Sequence, residues 1–394
     1  MDAVSNPYSP GAGTRPPALV GREEQIDTMD VALRRLLNGR DGRSQMLTGL
    51  RGVGKTVMLN EYEILAESRG FFHEHIEVSE DGDLATRLVA AFRRVFLAMD
   101  ARKRIGERIT RALGVLKAFS LRLPNGPEIY IDVDAVFGPA DSGDLAVDLS
   151  GLFVELGEVA RDHGTGVLLT IDELQYVSRH VLEALVMGLH RAVQLQLPVI
   201  VAGAGLPSLA TLTGEAKSYA ERLFTFPVLG SLPPSQAREA LTVPAADDGV
   251  HWDEGALDEV LLVTGGYPYF LQEFGKQAWN IAAGPERITE EDVHLSLPIA
   301  TAELDDGFFR VRTGHTTDAE RLYLRAIAEL GPGPARSGEV AKLLGKPSTA
   351  LGPTRDGLIK KALCYSPRYG EVDVTVPMFD AFMKRWMPDF PVSQ

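Results

Sequence analysis

Cysteine is almost missing from this chain of 394 residues: Cys364 stands alone. A single thiol excludes an internal disulfide framework and a cysteine-rich zinc site. Long apolar runs are missing too. The most apolar stretch, LPVIVAGAGLPSLATL, is cut by Pro198 and Pro207 and falls short of a membrane span, so no membrane partner is expected. The opening MDAVSNPYSPGAGTRPP lacks a basic start followed by an apolar core, and so does not read as a signal peptide. Its Pro, Gly and Ser content reads as a flexible tail over residues 1–19. A cytoplasmic location is the simplest expectation. Net positive charge is also lacking. Fifty-four acids against 40 bases leave −14, which excludes a protein that coats nucleic acid or anionic membrane everywhere, though not one with a local basic face. No internal repeat is visible. The rest, 45% hydrophobic and 24% charged, is the make-up of a globular chain, long enough for two or three domains.

Periodicity divides the chain. Ile26, Met29, Leu33 and Leu36 recur at helical spacing. QMLTGL reads as a short buried strand, and the helix after Gly54 carries Met58, Tyr62 and Leu65 on one side. FFHEHIEV alternates as a second strand, followed by helical patterns over 84–97 and 104–119 and a hairpin in EIYIDVDAVFG. A helix over 149–162 leads into the buried strand GVLLTIDE, and the helix VLEALVMGLHRAVQL feeds the buried strand PVIVAGAG. Strands alternating with helices predict a parallel sheet covered on both faces. Past Pro227 the strand signal fades into helices near 234–241, 253–263 and 269–281, with a further one capped by Thr289. From about Thr317 the order is helix, helix, helix, hairpin, closed by FDAFMKRWM. The third of these helices is interrupted by Gly352-Pro353, which predicts a start near Pro353.

TGLRGVGKT is the most specific stretch. Gly49, Gly54, Lys55 and Thr56 satisfy G-x-x-x-x-G-K-[ST] between a strand and a helix. Glycines let backbone amides point into one concavity, and the helix N-terminus behind them favours an anion. The loop residues Gly49, Leu50, Arg51, Gly52, Val53, Gly54, Lys55, Thr56 and Val57 are therefore expected to bind ATP, with Lys55 on the β- and γ-phosphates and Thr56 on Mg²⁺. VLLTIDE supplies the second part: Asp172 at the end of a buried strand to hold the metal, and Glu173 to activate water. No N-K-x-D or T-K-x-D motif for reading guanine occurs.

These residues resemble the AAA-type and STAND-type P-loop ATPases, especially the branch of the origin-recognition initiators and related prokaryotic ATPases, from Val20 onward. LVGREEQID looks like that branch's entry motif, which implies that Val20, Gly21 and Arg22 contact base or ribose. SYAERLF resembles the segment carrying an arginine finger, which implies that role for Arg222. TGGYPYFLQEF resembles the Gly-x-Pro lid motif, which places Pro268 near the nucleotide. The resemblance implies a P-loop α/β core over 20–230, a helical lid over 231–308 and a winged helix-turn-helix over 309–394. Two features depart from it. PVIVAGAG ends in Gly203, Ala204 and Gly205, where these ATPases often carry a polar or basic residue that senses the γ-phosphate, and TGGYPYFLQ contains no lid arginine. Slow or partner-stimulated hydrolysis is the expectation, since an arginine finger is worth about three to five decades in rate.

A winged helix usually lays its third helix in the DNA major groove. Here that helix carries Arg355, Lys360 and Lys361, and the hairpin carries Arg368. From Asp318 onward eleven Lys/Arg face nine Asp/Glu, about +2, leaving about −16 elsewhere. That shift fits a modest footprint on double-stranded DNA. Docking of a protein partner or of another copy of the chain is the alternative, and with it a non-catalytic module gated by ATP. His73 and His75 share one strand face, but no third metal ligand is evident in the sequence.

Overall fold

The apolar segments of the first half line up as one parallel sheet. In the computed structural model, which describes residues 1–11, 13–79, 83–102, 106–123, 133–217 and 220–390, its strands are β1 (Ser44–Thr48), β2 (Phe72–Glu77), β3 (Val167–Asp172), β4 (Val199–Gly205) and β5 (Phe224–Thr225), in the order β2-β3-β4-β1-β5. Register pairs Thr170 with His75 and with Ala202, and Gln45 with Ala202. β1, β3 and β4 are buried along their whole length, as strands covered on both faces must be. β5, only two residues long, has too little pattern to be seen in the sequence.

Among the described residues, eight α-helices belong to the same compact unit, residues 23–48 and 55–228: α1 (Glu23–Leu37), α2 (Lys55–Ser68), α3 (Leu84–Arg102), α4 (Gly106–Arg122), α5 (Leu145–Asp162), α6 (Arg179–Gln194), α7 (Leu209–Ala216) and α8 (Ala220–Leu223). Their starts are chemically marked. Asp144 caps α5 by accepting from the amides of Ala146 and Val147, and Ser178 caps α6 through Val181. Phe92, Phe153, Leu156, Leu185 and Leu189 sit in the core that these helices build with Leu169 and Val201 of the sheet. The hairpin expected in EIYIDVDAVFG falls partly outside the described residues, and 133–138 carry no strand.

The second unit comprises 1–22, 49–54 and 229–394. It holds α9 (Pro234–Asp247), β6 (His251–Trp252), α10 (Glu254–Thr264), α11 (Pro268–Ile281), β7 (Arg287–Ile288), α12 (Glu290–Glu303), a π-helical turn (Leu304–Arg310) and α13 (Val311–Thr313). The chain continues through α14 (Asp318–Glu329), β8 (Ala335–Arg336), α15 (Ser337–Leu343), α16 (Ser348–Lys360), β9 (Cys364–Tyr365), β10 (Glu371–Val374) and α17 (Phe379–Trp386). β8, β10 and β9 form an antiparallel sheet in that order. Thr289 with Asp292 and Thr317 with Glu320 make capping boxes on α12 and α14.

Two local expectations are corrected. Within the segment expected to be a flexible tail, Met1, Asp2 and Tyr8 are held by hydrogen bonds. The terminal ammonium donates to the Ala282 carbonyl at 2.7 Å, Trp279 Nε1 donates to the Asp2 carbonyl at 3.0 Å, and Trp252 Nε1 donates to the hydroxyl of buried Tyr8 at 2.8 Å. One buried aromatic anchor outweighs the turn-rich composition around it. The second correction concerns α16, which runs through Pro353 from Ser348. Proline there removes one amide donor, but the carbonyl it leaves open belongs to exposed Thr349, and Gly352 has no Cβ to crowd the ring.

Candidate nucleotide site

Lys55 is the first residue of α2 and Thr56 the second, so both stand at the helix end whose dipole favours an anion. The Thr56 hydroxyl donates to Asp172 Oδ2 at 2.5 Å. Asp172, the last residue of β3, is 4% exposed, and its Oδ1 accepts the Glu173 amide at 2.8 Å. A hydroxyl and a carboxylate oxygen meeting in this way are hard oxygen ligands of the kind magnesium takes, so the residues present fit that ion. Glu173 has left-handed backbone, φ +58° and ψ +37°, a conformation that costs a non-glycine residue about 1 kcal/mol or more and clusters at functional sites. Its carboxylate accepts from Gln175 Nε2. Thr56, Asp172 and Glu173 are thus brought together in one unit.

The loop residues 49–54 belong to the other unit, where three glycines are required. Gly52 and Gly54 have φ of +85° and +91°, which side chains resist. A Cβ at Gly49 would lie 2.3 Å from the Leu229 carbonyl oxygen. The lid motif packs on this loop: the Tyr269 amide donates to the Gly52 carbonyl at 3.2 Å, and the buried Tyr267 hydroxyl donates to the Arg51 carbonyl. Burial pushes the Tyr267 phenol well above its usual range. Pro268 stands between the two tyrosines as the first residue of α11. The Arg51 amide donates to the Thr375 carbonyl at 3.1 Å, directly after β10.

Arg22, expected at base or ribose, is 8% exposed and committed to backbone: Nη2 donates to Gly230 at 2.8 Å and to Val53 at 3.3 Å. It clips the loop at Val53 to Gly230. Gly21 beside it has φ +71°, and Val20 is half-buried. Val57 is buried in the first turn of α2. Arg222 stands apart, exposed on α8, which leads into β5 at the far edge of the sheet from β2 and β3.

Sequence reasoning missed Tyr267, Tyr269, Gln175 and Thr375. The tyrosines had a local signal, since they flank Pro268; Gln175 and Thr375 had none. His73 and His75 also find an unforeseen partner. Glu63 of α2 meets His75 Nδ1 at 3.0 Å and lies 3.8 Å from His73 Nδ1, yet no group of three or more His, Cys, Asp or Glu that could hold a metal ion occurs among the described residues.

Several basic side chains of the C-terminal segment are spoken for. Lys361, one residue past α16, donates to Glu320 at 2.7 Å and to the His315 carbonyl at 2.9 Å. Its charge is therefore paired within the chain. Arg355 is half-buried and lies 3.4 Å from Asp356. Lys346, Ser348, Thr349, Lys360, Arg368 and Tyr369 are exposed.

Residues 18–202 match the family model of the AAA ATPase domain, and residues 306–383 match a domain of unknown function, DUF8462. No curated protein matches. Among solved structures, the Walker-type ATPase PABY2304 of Pyrococcus abyssi is similar over 94% of this chain and 97% of its own, at 14% identity and a TM-score of 0.56. That likeness is one of fold. The RuvB Holliday junction branch migration motor of Thermotoga maritima is more distant, at 16% identity over 92% and 96% of the two chains with a TM-score of 0.46. So is the Orc1 protein of Aeropyrum pernix in complex with DNA, at 16% identity over 94% of each with a TM-score of 0.44.

Proposed function

We propose that this chain, whose residues 18–202 match the AAA ATPase domain, is a P-loop nucleotide switch that binds Mg·ATP, hydrolyses it slowly or on partner stimulation, and changes how a C-terminal winged helix meets DNA. The loop from Gly49 to Thr56 holds the triphosphate, with Lys55 on its terminal phosphates. Thr56 and Asp172 hold the magnesium, which when bound neutralises phosphate charge. Glu173 orients and deprotonates the attacking water, and Arg222 serves a neighbouring subunit. The observation that carries the coupling is the 3.1 Å hydrogen bond from the Arg51 amide to the Thr375 carbonyl. An amide of the phosphate loop is bonded to the segment that follows the β9–β10 hairpin, so a change at one is felt at the other.

Phosphate release from the parent and from Glu173→Gln tests the enzyme half. General-base contributions run to about 10²–10⁴ in rate, so the variant should lose about a hundredfold while still taking up ATP; equal rates would remove Glu173 from its role. Mobility shift of random duplex at two salt concentrations tests the other half, since phosphate contacts make affinity fall steeply with salt. A second reading, in which the winged helix docks a protein partner, is favoured by one fact: Lys361 is already neutralised by Glu320. Absent or salt-insensitive DNA binding would select that reading.

A further inference from the structure

Gly203, Ala204 and Gly205 leave the end of β4 without a polar side chain, and packing explains the first of them. A Cβ at Gly203 would lie 2.3 Å from Met46 Sδ and 2.4 Å from Leu174. The polar group at this strand end arrives instead from the turn after β3. Gln175 Oε1 accepts the Leu206 amide at 3.2 Å, and a Cβ at Gly205 would meet that same oxygen at 3.1 Å. The other end of the amide, Nε2, donates to Glu173 Oε2.

We infer that Gln175 is a positioning residue for Glu173: its side-chain amide fastens the carboxylate of the candidate base to the end of β4. This rests on the reading of Glu173 as the base. The geometry divides the amide into two roles. Its oxygen satisfies a backbone donor, which is structural. Its nitrogen holds a carboxylate that sits on left-handed backbone next to the Thr56–Asp172 pair, and that is the role in turnover. Without the nitrogen, the carboxylate keeps its place in the chain but loses this bond, and catalysis depends steeply on such orientation.

Gln175→Glu separates the two roles, because it keeps an oxygen for the Leu206 amide and replaces the donor with a second oxygen that repels Glu173. The expected result is a loss of about tenfold or more in kcat, with KM for ATP changed by less than about twofold and the melting temperature nearly that of the parent. Gln175→Met, neutral and of similar length, gives the same kinetic comparison should the added charge prevent folding. A Gln175→Glu or Gln175→Met protein that turns over like the parent, while Glu173→Gln is inactive, overturns the inference and leaves the base in place. Glu173→Gln turning over like the parent would instead remove the base itself, and the role of Gln175 with it.

Discussion

Glu63 shows how much one side chain can arrange. It receives the Thr170 hydroxyl and lies 3.0 Å from His75 Nδ1, joining α2 to β2 and β3. The hydrogen bond to Glu63 raises the His75 pKa above its ordinary value, against the pull of burial. For Glu63 burial alone would push upward, but the bonds from His75 and Thr170 bring it below its usual range. A histidine raised in the folded state adds stability that is complete below its unfolded value of about 6.5 and fades as pH rises through the folded value. The parent should therefore lose stability between pH 6 and pH 8.5 by a step that His75→Gln lacks. With both partners partly exposed, that step is no more than about 1 kcal/mol. Thermal melts of the two proteins at both pH values measure it, and identical steps would mean that the pair contributes nothing.

Elements carry the link between phosphate loop and C-terminal segment. An aromatic series runs from α11 through the π-helical turn to α17. Tyr269 stacks on Phe308 at 4.7 Å, Phe308 meets Phe309 edge-on at 5.2 Å, Phe309 stacks on Phe382 at 4.9 Å, and Phe382 on Trp386 at 5.4 Å. π-helical turns occur often at functional sites, and this one sets two consecutive rings, Phe308 and Phe309, into that series. Arg312 lies 3.5 Å over the Phe308 ring. The motif TGGYPYF announced a turn and a helix start, but not that its second tyrosine stacks on a residue 39 positions onward. If the series transmits the nucleotide state, Phe308→Leu should keep the fold at a cost of about 1–2 kcal/mol and make the DNA shift in ATP equal to that in ADP. A variant that still distinguishes the two nucleotides as the parent does would assign the rings to packing alone.

At the scale of the molecule the question is where positive charge for turnover comes from. Arg222 is exposed on α8, and the chain as a whole carries −14. If Arg222 completes the site of another copy, a non-hydrolysable ATP analogue should raise the assembly size seen by light scattering. Arg222→Ala should then lower turnover by about a hundredfold or more while leaving uptake of ATP intact. A parent that stays monomeric with the analogue and hydrolyses at the same rate as Arg222→Ala would exclude the arrangement. Among the described residues no helix is long and apolar enough to cross a membrane.

What the sequence determined by itself is what depends on neighbours in the chain. The phosphate loop was legible because Gly49, Gly54, Lys55 and Thr56 stand at fixed spacing within a few residues, and the strand and helix order was legible because period 2 and period 3.6 are local quantities. The start of α12 was marked by its cap, Thr289, with acids in the turn that follows. Only the tertiary structure decided which groups remain available. Lys361 is lost to Glu320 across 41 positions, Tyr267 reaches Arg51 across 216, and Met1 reaches Ala282 across 281. Such pairings follow from how packed elements bring distant side chains within hydrogen-bond range, and no spacing in the chain encodes that distance.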